Sequence, residues 1–174
     1  MVSQVAFTGL IIAVAIERLL ELRLSRRNER IQLAAGGIEY GSGHYPTMVV
    51  LHAGLLLGSL LEIWLLSRPF IPMLGYTMLG LVALAAACRF WIIRTLGNRW
   101  TTRVVVVPGL PRITDGPYRF LDHPNYLIVV IEGLALPLVH TSWVTALLFT
   151  AANGALLHAR IRIENAALAE AASR

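Results

Sequence analysis

Residues 114–132 read TDGPYRFLDHPNYLIVVIE, and the change of character inside that stretch decides how the rest of the chain is read. Asp115, Gly116 and Pro117 form a turn signal, because glycine permits positive φ and proline presets φ near −65°. Pro124 suits the first position of a helix, where its missing N–H leaves no hydrogen bond unmade. His123 then stands at or beside the N-cap, with Asn125 and Tyr126 in the first turn. A helix N-terminus offers free N–H groups and a partial positive charge, which seat a carboxylate or phosphate. Arg119, His123 and Tyr126 are placed to crowd such a seat, although a plain loop capped by its own side chains has the same sequence. Beyond them the helix turns apolar, with Glu132 two turns inside. A carboxylate at that depth is expected to face protein or cofactor rather than lipid.

The composition around this stretch is that of an integral membrane protein. Of 174 residues, 56% are hydrophobic and 14% charged, against about 25% charged in soluble domains; the mean hydropathy is +0.65. Residues 1–174 read as a single membrane-embedded domain. The lone cysteine, Cys88, allows no internal disulfide and lies in an apolar run, where a free thiol behaves as a small hydrophobe. All 15 basic residues are arginine. Beside membrane spans they are explained by topology and anionic lipid before nucleic acid, which is not an expected partner.

Five spans are expected. Residues 2–24 form the first, without a cleavable leader pattern, and its interior holds Glu17, Arg18, Glu21 and Arg23. Glu17 and Glu21 lie one turn apart with Arg18 beside them. Such groups either face the bundle interior or already reach the headgroups, with Arg23 snorkelling. Residues 25–47 are polar and interrupted by Gly36 and Gly37, long enough to fold back over a membrane-embedded site or simply to form a solvated loop. Residues 46–66 form the second span, with a Gly54-x-x-x-Gly58 spacing for close helix approach and two polar intrusions, His52 and Glu62. Residues 71–93 form the third, thin along Gly75, Gly80, Ala83 and Ala85, and closing on an interfacial belt of Arg89, Phe90, Trp91 and Arg94. Residues 101–107 are rich in β-branched side chains and read as a strand, turned at Pro108-Gly109 to pair with 112–114 as a surface hairpin. The fourth helix runs 123–140. The fifth span, 143–160, continues beyond the membrane through Glu164, Asn165 and Leu168, with Asn153 facing inward.

Arginines cluster after the first, third and fifth spans, whereas the two opposite links hold only Arg68. The positive-inside rule therefore puts the N-terminus outside and every chemistry-bearing motif in the cytoplasm. A cell membrane, the inner one in a bacterium, is the expected location.

GPYRFLDHPNYL at 116–127 together with RIRIENAAL at 160–168 resembles the C-terminal half of the isoprenylcysteine carboxyl methyltransferase family, and more narrowly its small bacterial alkylpyrone O-methyltransferase-like branch. Weaker likeness reaches SRRNE at 25–29, HYP at 44–46 and LGNRWTTR at 96–103. The chain departs from the usual pattern twice. Asp122 stands where Arg usually precedes the His-Pro pair, and Asn165 stands where a second glutamate usually follows Glu164.

The resemblance implies a polytopic membrane enzyme that takes a methyl group from S-adenosyl-L-methionine and gives it to a lipophilic, lipid-like acceptor drawn from the bilayer, at a carboxylate or a pyrone or phenol hydroxyl. It implies cofactor contacts at Arg119, His123, Pro124, Tyr126, Glu164 and Asn165. A carboxylate holds an ammonium, an arginine or helix N-terminus holds a carboxylate, and an aromatic face suits a sulfonium. Arg160, His123 and Glu132 are the catalytic candidates, with Arg160 positioning an anionic acceptor and His123 or Glu132 serving as base for a phenol. Glu17, His44, Tyr45 and His52 are candidate substrate contacts. Taken alone, Arg160 and Glu164 are a helical ion pair one turn apart, and His52 a packing residue.

HPNY followed by a helical glutamate also resembles membrane sterol and steroid reductases that use NADPH; Arg160-x-x-x-Glu164-Asn165 and the short chain favour the methyltransferases. A third reading, suggested by Asp122 and Asn165, is a non-catalytic membrane interaction protein of the same fold. No metal is expected, because the five histidines lack ligand spacing.

Overall fold

Among the described residues, apolar runs stopped by proline and glycine fold into five α-helices, with short structure at one end of the bundle. In the computed structural model, residues 1–172 are described; the chain end expected in the cytoplasm, 173–174, lies outside them. In chain order the elements are α1 (Val2–Ala34), β1 (Ile38–Tyr40), α2 (Tyr45–Leu65), α3 (Pro72–Leu96), β2 (Val104–Val106), α4 (Pro124–Leu138) and α5 (Trp143–Ala172). Pro46, Pro72 and Pro124 sit in the first turns of α2, α3 and α4, where no N–H is missed. Gly36, at φ 84°, carries the chain out of α1 in a conformation that costs glycine little.

Three segments, Ser42–Leu65, Pro72–Arg99 and Trp143–Ala171, are long and apolar enough to cross a membrane. α1 has the length but carries Glu17, Arg18, Glu21 and Arg23 in its interior, and α4 is apolar but spans only 15 residues. Leucine, isoleucine and valine side chains on the outer faces are exposed throughout, as expected of a surface that meets hydrocarbon.

The core is packed by small residues at close approaches. A Cβ on Gly133 of α4 would fall 2.1 Å from the Phe149 ring of α5, and one on Gly58 of α2 would lie 3.1 Å from Thr145 Oγ1. Gly54, the other half of the Gly-x-x-x-Gly spacing, faces open space. At one end of the bundle, Glu62 of α2 accepts hydrogen bonds from the backbone N–H groups of Val144 (3.1 Å) and Thr145 (2.8 Å). Those groups have no partner within α5, so the carboxylate caps α5 in trans, and Arg68 neutralises it at 2.9 Å.

Two expectations need correction here. β2 does not pair with 112–114. It pairs antiparallel with β1, Ile38 opposite Val106 and Tyr40 opposite Val104, because the polar connection after α1 contains an extended Ile-Glu-Tyr segment that the glycines release toward it. Arg89 is not part of an interfacial belt. It is 5% exposed and ion-paired with Glu132 across α3 and α4.

Candidate functional site

The end of the bundle opposite Glu62 is built on polar side chains of α1. Asn28 donates to the carbonyls of Trp100 (2.8 Å) and Gly97 (3.1 Å), Gln32 to that of Asn98 (3.2 Å), and Ser25 accepts the N–H of Thr102 at 2.8 Å. These bonds fix the irregular chain after α3 as a wall. The β1–β2 ladder extends that wall, and the first turn of α4 and the last turns of α5 close the opposite side. Between them lies a cavity of about 1060 Å³, its open mouth included.

Its lining sorts into three kinds of surface. Val104–Val106, Leu110 and Leu168 are apolar. Arg99, Arg103 and Arg112 bring positive charge to the rim. Tyr126, His123, Asn125, Glu164 and Arg160 supply the polar groups, from helices some forty residues apart in sequence. The Tyr126 hydroxyl donates to Glu164 Oε2. His123 Nε2 stands 3.0 Å from Asn165 Oδ1, and its Nδ1 3.7 Å from Glu164 Oε1. The His123 and Tyr126 rings stack at 5.3 Å, and the Arg160 guanidinium lies over the other side of this cluster, 5.9 Å from the Tyr126 centroid.

Arg160 is nearly buried. It donates to the Thr102 carbonyl at 2.9 Å and touches Met48 Sδ at 3.0 Å, while its Nε has no hydrogen-bond partner. It forms no ion pair with Glu164, against the expectation of a helical pair, because Tyr126 and His123 occupy the carboxylate instead. Asn125 Oδ1 is likewise buried without a partner on the cavity wall. Tyr118 lines the cavity from the turn before α4; burial and then the Glu164 carboxylate push its phenol well above the ordinary range, so it remains a neutral donor.

His123 does stand at the N-cap of α4 and Pro124 at its first position. Arg119 is exposed and does not line the cavity, against the expectation that it crowds the seat beside His123 and Tyr126. The turn Gly116–Arg119 directs Tyr118 inward and Arg119 outward. Asp122, at the position usually held by arginine, pairs with Arg112 at 2.9 Å. Asn165 keeps contact with His123 in spite of its missing charge.

The other candidates lie elsewhere. His44 and Tyr45 border a small hollow beside Arg103 and Arg160, and Arg103 lies over the Tyr45 ring at 4.3 Å. Its bond to Glu39 at 2.7 Å raises the Arg103 guanidinium above its ordinary range and fixes it as a cation. Glu132, Glu17 and His52 do not reach the main cavity. They meet in a second one, deeper between the helices. Sequence reasoning missed Arg89, Arg103 and Arg112. A buried glutamate such as Glu132 requires a cation nearby, a demand that leaves open which arginine meets it; the structure assigns Arg89.

An uncharacterized protein, YpbQ, of Bacillus subtilis (strain 168) is 35% identical over 94% of this chain and 97% of its own. An uncharacterized protein of Haemophilus influenzae is 25% identical over 87% of this chain and 88% of its own. No solved structure matches. Residues 78–170, just over half of the chain, match the isoprenylcysteine carboxyl methyltransferase (ICMT) family. That region runs from α3 through α5 and contains every polar side chain of the Tyr126–Glu164 cluster; on this match the chain belongs to the isoprenylcysteine carboxyl methyltransferase family, whose members are membrane methyltransferases.

Proposed function

We propose that the chain binds S-adenosyl-L-methionine in the cavity between α4 and α5 and directs its methyl group to an oxygen of a lipophilic acceptor. The observation that carries this reading is the meeting of His123 and Tyr126 with Glu164 and Asn165 on the wall of one large cavity. The residues fit a zwitterionic sulfonium ligand. Glu164 and the unpartnered Asn125 oxygen are acceptors for an ammonium, Arg112 replaces the outlying Arg119 as the cation for a carboxylate, and the β2 wall is apolar enough for an adenine. The stacked His123 and Tyr126 rings offer π-density toward positive charge.

The cofactor supplies an electrophilic methyl on sulfur, taken in line by an acceptor oxygen. Positioning that oxygen falls to Arg160, whose free Nε–H and buried guanidinium stabilise an anion where water is scarce. An acidic acceptor, a carboxylate or enol, arrives ionised and needs no base. His123 is the base within reach of the cavity for a phenol, since Glu132 is spent on Arg89. We read all five helices as crossing the membrane, N-terminus outside, which puts this cavity at the cytoplasmic face of a cell membrane.

Membranes containing the chain, incubated with S-adenosylmethionine tritiated in its methyl group, are expected to yield tritium in the organic extract, lost on Arg160→Gln. Alkali releases the label from an ester and leaves it on an aryl or enol ether, which separates the two acceptor classes. Label no greater than in membranes lacking the chain rejects the reading.

A further inference from the structure

Deeper in the bundle, α1, α2, α3 and α4 surround a second cavity of about 450 Å³, its opening included. Most of its wall is apolar, Val82 and Ala86 among it, but Glu17, Arg18, His52 and Glu132 also face it. We infer that this cavity is a binding site for the hydroxyl head of a lipophilic molecule, separate from the cavity beside Tyr126.

Several polar groups around this cavity have hydrogen-bonding capacity left unused. Arg18 contacts Glu21 at 2.7 Å, Glu17 at 3.2 Å and Glu132 at 3.5 Å; Arg89 pairs with Glu132 and lies 3.8 Å from Glu21. Both Glu132 oxygens are thus engaged, whereas Glu21 is hydrogen-bonded through Oε2 alone and Arg89 Nε–H has no hydrogen-bond partner, but neither Glu21 nor Arg89 lines the cavity. Glu17 engages only Oε2, leaving one oxygen free, and Arg18 Nε–H has no hydrogen-bond partner. His52 Nδ1 lies 2.8 Å from the Met48 carbonyl, which can only accept, so Nδ1 carries the proton. In the neutral imidazole this leaves Nε2 as a lone-pair acceptor. The cavity therefore presents two open acceptors and one open donor.

Three carboxylates stand against two guanidiniums, an excess of one negative charge. An anionic head is repelled by that excess. An ammonium is drawn by that excess and satisfies the acceptors, but it has no lone pair for the Arg18 Nε–H, sets a third cation beside Arg18 and Arg89, and must be stripped of water to enter. A hydroxyl both donates and accepts and carries no charge into the hydrocarbon: its one proton goes to His52 Nε2 or to Glu17, and its lone pair takes the Arg18 Nε–H. The apolar wall takes the chain or ring that bears it. This site does not depend on the methyl-transfer reading, because it is filled or empty without a cofactor.

The test compares para-nonylphenol with para-nonylbenzoate and para-nonylbenzylamine, titrated into the full chain in nanodiscs with partition into empty nanodiscs subtracted. The phenol is expected to bind saturably, and both charged analogues roughly tenfold or more weakly. Ala86→Leu fills the cavity, and His52→Phe removes the open acceptor while keeping the ring edge near Phe149. Both are expected to lower phenol affinity roughly five- to tenfold. S-adenosylhomocysteine binding, read in parallel, should stay within about twofold in both variants; where one variant has lost its fold, the other decides. Phenol affinity unchanged in a folded variant, or a charged analogue bound as tightly, overturns the assignment. Failure of S-adenosylhomocysteine to bind the unmodified chain counts against the methyl-transfer reading alone, and the phenol titration still decides this one.

Discussion

Glu164 illustrates how far single residues can be read. Its pairing with Arg160, four positions earlier, is what helix geometry suggests, yet the carboxylate turns to the Tyr126 hydroxyl and approaches His123. The convergence on α4 was legible through the family resemblance; the loss of the local pair was not. Helical spacing says which side chains can meet, not which tertiary competitor is nearer. Arg160 instead anchors to Thr102, a residue whose position depends on Ser25 of α1. Held by a tyrosine hydroxyl rather than a cation, Glu164 contributes little to the fold and is available to a ligand ammonium. Glu164→Gln keeps the shape and removes the charge. A charged hydrogen bond is worth about 1.5–3 kcal/mol, so S-adenosylhomocysteine affinity is expected to fall roughly ten- to a hundredfold. The thermal midpoint of the ligand-free protein should barely move. Normal affinity with a lowered midpoint would make Glu164 a structural residue.

Among elements, five helices were legible because proline and apolar length mark them, and the inward-facing Asn153 followed from the α4–α5 packing. The strand partner of β2 was not. Pairing is settled by which extended segment the folded end of the bundle brings alongside, and a three-residue Ile-Glu-Tyr run carries little signal of its own. The α3–α4 contact was half legible: Glu132 demanded a partner, while Arg89 looked like one of several interfacial arginines. Breaking a buried pair on one side leaves an uncompensated charge and costs about 3–5 kcal/mol, whereas replacing both members by apolar groups is often neutral. Arg89→Met is therefore expected to destabilise strongly, and Arg89→Met combined with Glu132→Leu to recover most of the loss. Thermal unfolding in one detergent checks this; a double variant as unstable as the single one would show that the pair does not hold these helices together.

For the whole molecule, polar work is divided between the ends. Glu62 caps α5 at one end, and at the other the α1 side chains, β1–β2 and the Tyr126–Glu164 cluster build a cavity. Every arginine-rich connection lies at the cavity end, the feature from which orientation was read. On the function proposed, this cavity takes the cofactor of a methyltransferase and not that of a nicotinamide-dependent reductase. Calorimetric titration of the nanodisc-embedded chain with S-adenosylhomocysteine and, separately, with NADPH tests it most directly. Saturable binding of S-adenosylhomocysteine, weakened by Glu164→Gln, and no saturable heat with NADPH are expected. Saturable NADPH binding, with S-adenosylhomocysteine giving none, would contradict it.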